Sequence, residues 1–130
     1  MFYSKKQIDF SIKCCNILKM NDDEMNVLSD MLFAKPSDLN DFMYKISTQY
    51  NVEIVIVTHG EKGASLMYEG KIIQQKAPKV DVNDTVGAGD SFSAAFLNQY
   101  LKNNDVSTAL YQACELGAKI ASQRGAVPFL

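Results

Sequence analysis

Val52-Glu53-Ile54-Val55-Ile56-Val57 leaves this chain few folds to choose from. A run of β-branched, apolar residues suits a strand covered on both faces, whereas a strand with one wet face alternates apolar and polar residues. Such strands lie inside parallel sheets with helices above and below, so the flanks of the run should carry helical patterns. Ser4-Lys5-Lys6-Gln7 has the form of a capping box, and Ile8, Ile12 and Cys15 recur at helical spacing, predicting a helix from about Lys5 to Cys15. Asn16 to Met20 is too short for a helix and carries Ile17-Leu18, as a buried strand would. Asn21-Asp22-Asp23-Glu24 is a second capping-box pattern, opening a helix through Met25, Leu28, Met31 and Leu32. Lys35-Pro36 breaks the chain, and Ser37 or Asp38 caps a helix whose core stripe is Leu39, Phe42, Met43 and Ile46.

Downstream of the strand run, Ala64 to Tyr68 and Lys71 to Gln75 flank Glu69-Gly70, a tight hairpin in which glycine supplies the positive φ. Asp90 to Lys102 is apolar nearly all round and is expected to be buried. A last helix is expected from Val106 to about Arg124, with Gly125 as its C-terminal cap. Ala109, Ala113, Gly117 and Ala121 recur every four residues along it, a flat stripe that either lets a helix pack closely or leaves room for a planar base. The sum is a three-layer α/β arrangement, a mostly parallel sheet flanked by helices with one hairpin, and 130 residues are enough for a single domain at most.

Charge and composition exclude several classes of function. A net charge of -2 with scattered lysines makes no basic stripe, which argues against nucleic acid and anionic membrane as partners. No stretch approaches the length of a membrane span, and Met1-Phe2-Tyr3-Ser4-Lys5 lacks the apolar run of a signal peptide, so the expected compartment is the cytoplasm. Cys14 and Cys15 are neighbours and Cys114 is remote; without partners at metal-ligand spacing, they read as free buried thiols. His59, the one histidine, reads as a loop residue.

The chemistry gathers in Asp84-Thr85-Val86-Gly87-Ala88-Gly89-Asp90-Ser91-Phe92. Two glycines permit left-handed backbone angles and close approach, so main-chain N–H groups can surround an anion, and the helix start that follows adds unpaired N–H groups and the positive end of its dipole. Asp90 stands at that threshold, either as a helix cap or as an ionised, modest proton acceptor of the kind phosphoryl transfer needs. The string is not a Walker loop, because no Gly-Lys-Ser/Thr follows, nor a dinucleotide fingerprint, because Phe92 occupies the place of the third glycine.

That string resembles the C-terminal signature of the ribokinase/PfkB family of ATP-dependent sugar kinases. Lys19-Met20-Asn21-Asp22-Asp23-Glu24 is similar to the family's Asn-x-x-Glu segment, Thr58-His59-Gly60-Glu61-Lys62-Gly63 to its nucleotide loop and Gln123-Arg124-Gly125-Ala126 to its closing turn, with wording nearest to fructokinase-like bacterial members. The resemblance implies the C-terminal portion of a ribokinase-like fold that phosphorylates a sugar such as fructose with ATP and magnesium. Asp90 is then the proton acceptor and the N–H groups of Gly87, Ala88 and Gly89 stabilise the transferring phosphoryl. Asn21, Thr58, Gly60, Lys62, Gly63, Gly89, Asp90, Cys114 and Gly117 hold the nucleotide, and Glu24 holds magnesium through water. Asn21 and Glu24 are equally explained as a capping box. Asp84, with carbonyls near Val86, Ala121 and Gly125, is offered as a potassium site, although Asp84 as a loop cap needs no ion.

Members of the family are more than twice this length, and the resemblance assigns the sugar contacts and the lid to an N-terminal portion that this chain lacks. Two readings follow: an incomplete sugar kinase, or a catalytically silent module that binds nucleotide or a partner chain. Either leaves a sheet edge, at Ile17-Leu18 or Val52 to Val57, open to self-association or to an N-terminal partner.

Overall fold

The computed structural model describes residues 16–34, 38–78 and 88–122. The expected helix Lys5 to Cys15, the Lys35-Pro36 break, Cys14 and Cys15, the loop residues Asp84, Val86 and Gly87, and the closing turn with Gly125 lie outside them. The chain divides into two compact units.

The first unit is built on two strands, β1 (Ile17–Asn21) and β2 (Ile54–Thr58), parallel and in register from Ile17 opposite Ile54 to Asn21 opposite Thr58. The expected run Val52–Val57 thus enters the ladder two residues late. The first ladder contact beyond the strand is the Ile54 N–H to the Asn16 carbonyl at 3.0 Å, and Asn51 just upstream has a left-handed φ of 56°. Val52 is nevertheless buried.

Between the strands run α1 (Asp22–Phe33) and α2 (Leu39–Gln49). Both begin at side-chain caps. Asn21 Oδ1 accepts from the Glu24 N–H at 2.8 Å and Glu24 Oε1 accepts from the Asn21 N–H at 2.9 Å, a complete capping box. Of the two candidates for α2, Asp38 is the cap, accepting from the Asp41 N–H at 2.7 Å. The α2 stripe Phe42, Met43 and Ile46 has no exposed surface and packs in one core with Met20, Met25, Leu32, Val52, Val55, Val57 and Met67. Ile54 and Ile56, on the opposite face of β2 from Val55 and Val57, are just as fully buried, so both faces of the strand are covered as its composition requires.

β3 (Ala64–Tyr68) and β4 (Lys71–Gln75) complete a four-stranded sheet of order β1-β2-β3-β4. The hairpin has the expected bounds, but Glu69 as well as Gly70 is left-handed, at φ 51° and 76°, the pattern of a type I′ turn whose twist matches that of the strands. β2 is therefore an inner strand, which corrects the expectation that Val52 to Val57 could be an edge. Among the described strands β1, with Ile17-Leu18, has a neighbour on one side only.

The second unit holds the 3₁₀ turn Gly60–Lys62, the end of β4, and the packed helix pair α3 (Ala88–Asn103) and α4 (Val106–Ser122). Asp105 caps α4, accepting from the N–H groups of Ser107 and Thr108 at 3.1 Å each, while the Thr108 hydroxyl donates to its second oxygen at 2.9 Å. Those bonds, the Thr108 N–H first, hold the Asp105 carboxyl below the usual range. One expectation fails: α3 is not buried all round. Phe92 and Phe96, one turn apart, form the covered stripe, whereas Leu97 is 43% and Leu101 77% exposed. Ala109 and Ala113 on α4 have no exposed surface, which fits close packing for that half of the small-residue stripe, whereas Gly117 is half-buried.

Candidate functional site

In the first unit the parallel register sets Asn21 and Thr58 opposite each other at the carboxyl ends of β1 and β2, the edge at which open α/β sheets place ligands. Thr58 is tied back to β1 by its hydroxyl, which donates to the Met20 carbonyl at 3.4 Å. The Asn21–Glu24 turn is the capping box its spacing predicts, and both residues are exposed. The cap uses Asn21 Oδ1 and Glu24 Oε1. It leaves the Asn21 amide nitrogen and Glu24 Oε2 outside the exchange, so the cap and a ligand-binding role are compatible.

His59 is the residue that sequence reasoning passed over. Its Nδ1 lies 2.7 Å from Asp22 Oδ1 and its Nε2 2.9 Å from Ser65 Oγ, so the ring joins the first turn of α1 to the start of β3. An ionised carboxylate can only accept, so Nδ1 carries the hydrogen and, in the neutral ring, the Ser65 hydroxyl donates to Nε2. The strand register brings the pair together: with Asn21 and Thr58 aligned as strand ends, Asp22 and His59 each stand one residue beyond a matched pair.

In the second unit, Gly60 and Gly63 have φ of 63° and 112°. The Gly63 N–H donates to the Gly60 carbonyl at 3.2 Å. A Cβ on Gly63 would stand 2.0 Å from the Gln75 carbonyl oxygen, so the turn lies against the end of β4 where only glycine fits, whereas the space around Gly60 is open. Lys62 is exposed at the end of the same turn. Cys114 is free and buried, its Sγ 3.9 Å from the Gln75 carbonyl, and burial, with the neighbouring Glu115 charge second, pushes its thiol up to about 11. It is neutral at ordinary pH and adds no charge to its surroundings. Gly117, one turn on, is half-buried.

Ala88, Gly89 and Asp90 are the first three residues of α3. The helix thus opens two residues earlier than expected, and Asp90 belongs to its first turn rather than to its threshold. The N–H groups of that turn have no intrahelical acceptor, and a 16-residue helix brings its full dipole to them. Ala121 lies in the last turn of α4. Among the described residues no three acidic, histidine or cysteine side chains cluster as metal ligands, and no helix is long and apolar enough to cross a membrane.

Comparison with known proteins gives this geometry a context. The sequence model of the pfkB family carbohydrate kinases matches residues 2–130. The fructosamine kinase FrlD of Bacillus subtilis (strain 168) is 36% identical over 98 residues, which are 72% of this chain and 34% of that protein. A deoxyribokinase of Salmonella typhi is 30% identical over 124 residues, 92% of this chain and 39% of that one. A putative ribokinase II from E. coli, solved in complex with ATP and Mg2+, has the same fold with a TM-score of 0.81 at 25% identity, over 93% of this chain and 37% of the other. The chain therefore spans 34–39% of the length of these relatives.

Proposed function

The chain belongs to the pfkB family of carbohydrate kinases, and from that premise we propose that it is the nucleotide-binding and catalytic part of an enzyme that moves the γ-phosphoryl group of ATP to a sugar hydroxyl. The observation that carries the reading is the opening of α3, where Ala88, Gly89 and Asp90 put unpaired N–H donors and a carboxylate-bearing residue in one helical turn. An anion-binding turn that also carries a proton acceptor is what transfer of a phosphoryl group to a hydroxyl requires, because the loose transition state calls for positioning and charge stabilisation above all.

Asp90 takes the proton of the attacking hydroxyl, and the N–H groups of Gly87, Ala88 and Gly89 stabilise the oxygens of the phosphoryl in transit. Thr58, Gly60, Lys62 and Gly63 hold the nucleotide with Asn21, and half-buried Gly117, with the buried and uncharged Cys114 beneath it, stands beside its base. The Asn21–Glu24 turn fits a hydrated magnesium ion, since such ions are held through one or two carboxylates and keep most of their water, and Glu24 Oε2 is not used by the cap. Bound there, magnesium would offset the phosphate charge. Asp84, with the carbonyls near Val86, Ala121 and Gly125, forms a potassium site in the same proposal. The acceptor is a sugar; fructose is the first to try, and the relatives, a fructosamine kinase and a deoxyribokinase, make fructosamine and deoxyribose the next. The proposed setting is the cytoplasm, with self-association or an N-terminal partner chain completing the sheet.

Calorimetric titration of the folded chain with ATP and magnesium tests the nucleotide site: saturation is expected, and none by about 1 mM, a binding free energy of only about -4 kcal/mol, would sink the reading. The same anion-binding helix start serves a second reading, a module that binds nucleotide without turnover. Nucleotide binding with no sugar-dependent ADP release, even beside the rest of a family enzyme, would decide for it.

A further inference from the structure

We propose that His59 is a positioning residue that holds the Asn21–Glu24 turn in place for magnesium-bound nucleotide, an inference that rests on the nucleotide-binding reading above. The capping box fixes that turn internally, each hydrogen bond running between Asn21 and Glu24. It does not fix the turn against the rest of the unit. His59 does so, through Asp22 at 2.7 Å on one side and Ser65 at 2.9 Å on the other.

The two ends of this relay are unlike. Ser65 is only 1% exposed and rooted in β3, while the Asp22 side chain is 53% exposed, so the relay runs from a rigid anchor to a surface turn. The Thr58 hydroxyl, one residue before His59, makes a second tie to the Met20 carbonyl, which puts both ties at the same strand ends. The order of hydrogen bonds is that of a Ser-His-Asp hydrolase relay, but with 1% exposure the Ser65 hydroxyl cannot meet a substrate, and the arrangement serves to hold rather than to attack. Partners that orient a metal-holding residue usually matter to metal affinity almost as much as the ligands do.

The test is calorimetric titration of the whole chain with ATP, in the presence of magnesium and in its absence, for the wild type, His59→Ala, His59→Gln and Asp22→Asn. Wild type should bind ATP more tightly with magnesium. His59→Ala should lose about tenfold or more of that magnesium-dependent gain, with magnesium-free affinity unchanged. His59→Gln, whose amide can still reach one of the two partners, should recover part of it. Asp22→Asn changes only an exposed side chain and keeps the test valid if the ring cannot be removed without unfolding; it should act in the same direction. In the nitrogen-15 spectrum of the neutral wild type, Nδ1 should carry the hydrogen. Variants that keep the magnesium gain, variants that lose affinity equally with and without magnesium, a wild type indifferent to magnesium, or a ring protonated at Nε2 alone would each overturn the proposal. A wild type that binds no ATP at all would instead overturn the nucleotide-binding reading and remove this one with it.

Discussion

Asp90 occupies the first turn of α3, and the proposed function makes it the proton acceptor there. A base in that position should be replaceable by its amide with little change in shape. In an enzyme completed to family length, Asp90→Asn is therefore expected to lower kcat by about 10²- to 10⁴-fold while leaving the ATP KM nearly unchanged. Steady-state kinetics decide it, and unchanged turnover would make Asp90 a helix-start residue only. Cys114 supports a second expectation at this scale. Burial raises its folded value from 9.0 to about 11, so the folded state favours the protonated thiol; the stability this contributes is whole below pH 9 and is lost as pH rises through about 11. Urea unfolding across that interval should show the decline, and Cys114→Ala should flatten it. At pH 8 a thiol-alkylating reagent read out by peptide mass should label Cys114 slowly until the chain unfolds. The buried thiol was legible from the sequence because a cysteine without a partner at metal-ligand spacing packs as a small apolar residue. The role of His59 was not, because its partners are 37 positions upstream and 6 downstream and are brought to it by strand register.

At the scale of elements, whatever depends on local spacing could be read in advance. Asn21 and Glu24 cap α1 through bonds three residues long, Asp38 caps α2 in the same way, and the Glu69-Gly70 hairpin needs only its own turn chemistry. The faces of α3 could not be read, because a helix with apolar residues all round names no partner; tertiary packing covers Phe92 and Phe96 and leaves Leu97 and Leu101 outside. The turn at Gly60 to Gly63 lies between these cases. Its glycines are plain in the sequence, yet they do different work. Gly63→Ala adds both a strained φ and a Cβ 2.0 Å from the Gln75 carbonyl, and should cost at least the ~1–3 kcal/mol typical of a strained backbone position. Gly60→Ala meets open space and carries only the left-handed penalty of about 1–2 kcal/mol. Urea midpoints of the two variants should separate in that order, and equal midpoints would mean that the turn can move away from β4.

For the molecule as a whole, the demand of the Val52–Val57 run for cover on both faces was enough to anticipate an α/β fold, but strand order lay beyond it. Which strand is an edge depends on pairing across long stretches of chain, and the order β1-β2-β3-β4 puts β2 inside and leaves β1 with one neighbour among the described strands. A strand in that position presents a row of N–H and C=O groups to which another chain can add. Leu97 and Leu101 add exposed apolar surface on α3. On the proposal that sugar contacts and a lid belong to a further portion, consistent with a chain that spans 34–39% of its relatives, the nucleotide site and the sugar site are separable. The chain by itself should then bind ATP with magnesium, associate with itself, and turn over sugar very slowly. The slowness has a physical size: holding two reactants in line and away from bulk water corresponds to effective molarities of about 10⁵–10⁸ M, and a site that holds only the nucleotide forgoes most of that. Analytical ultracentrifugation and a coupled assay for ADP release with fructose read the two quantities on one sample. Supplying the N-terminal portion of a family enzyme should shift the sedimentation toward a mixed complex and raise the rate. A monomer that phosphorylates fructose unaided at an ordinary enzymatic rate of about 1–10³ s⁻¹ would show that the residues of this chain already form a complete sugar site.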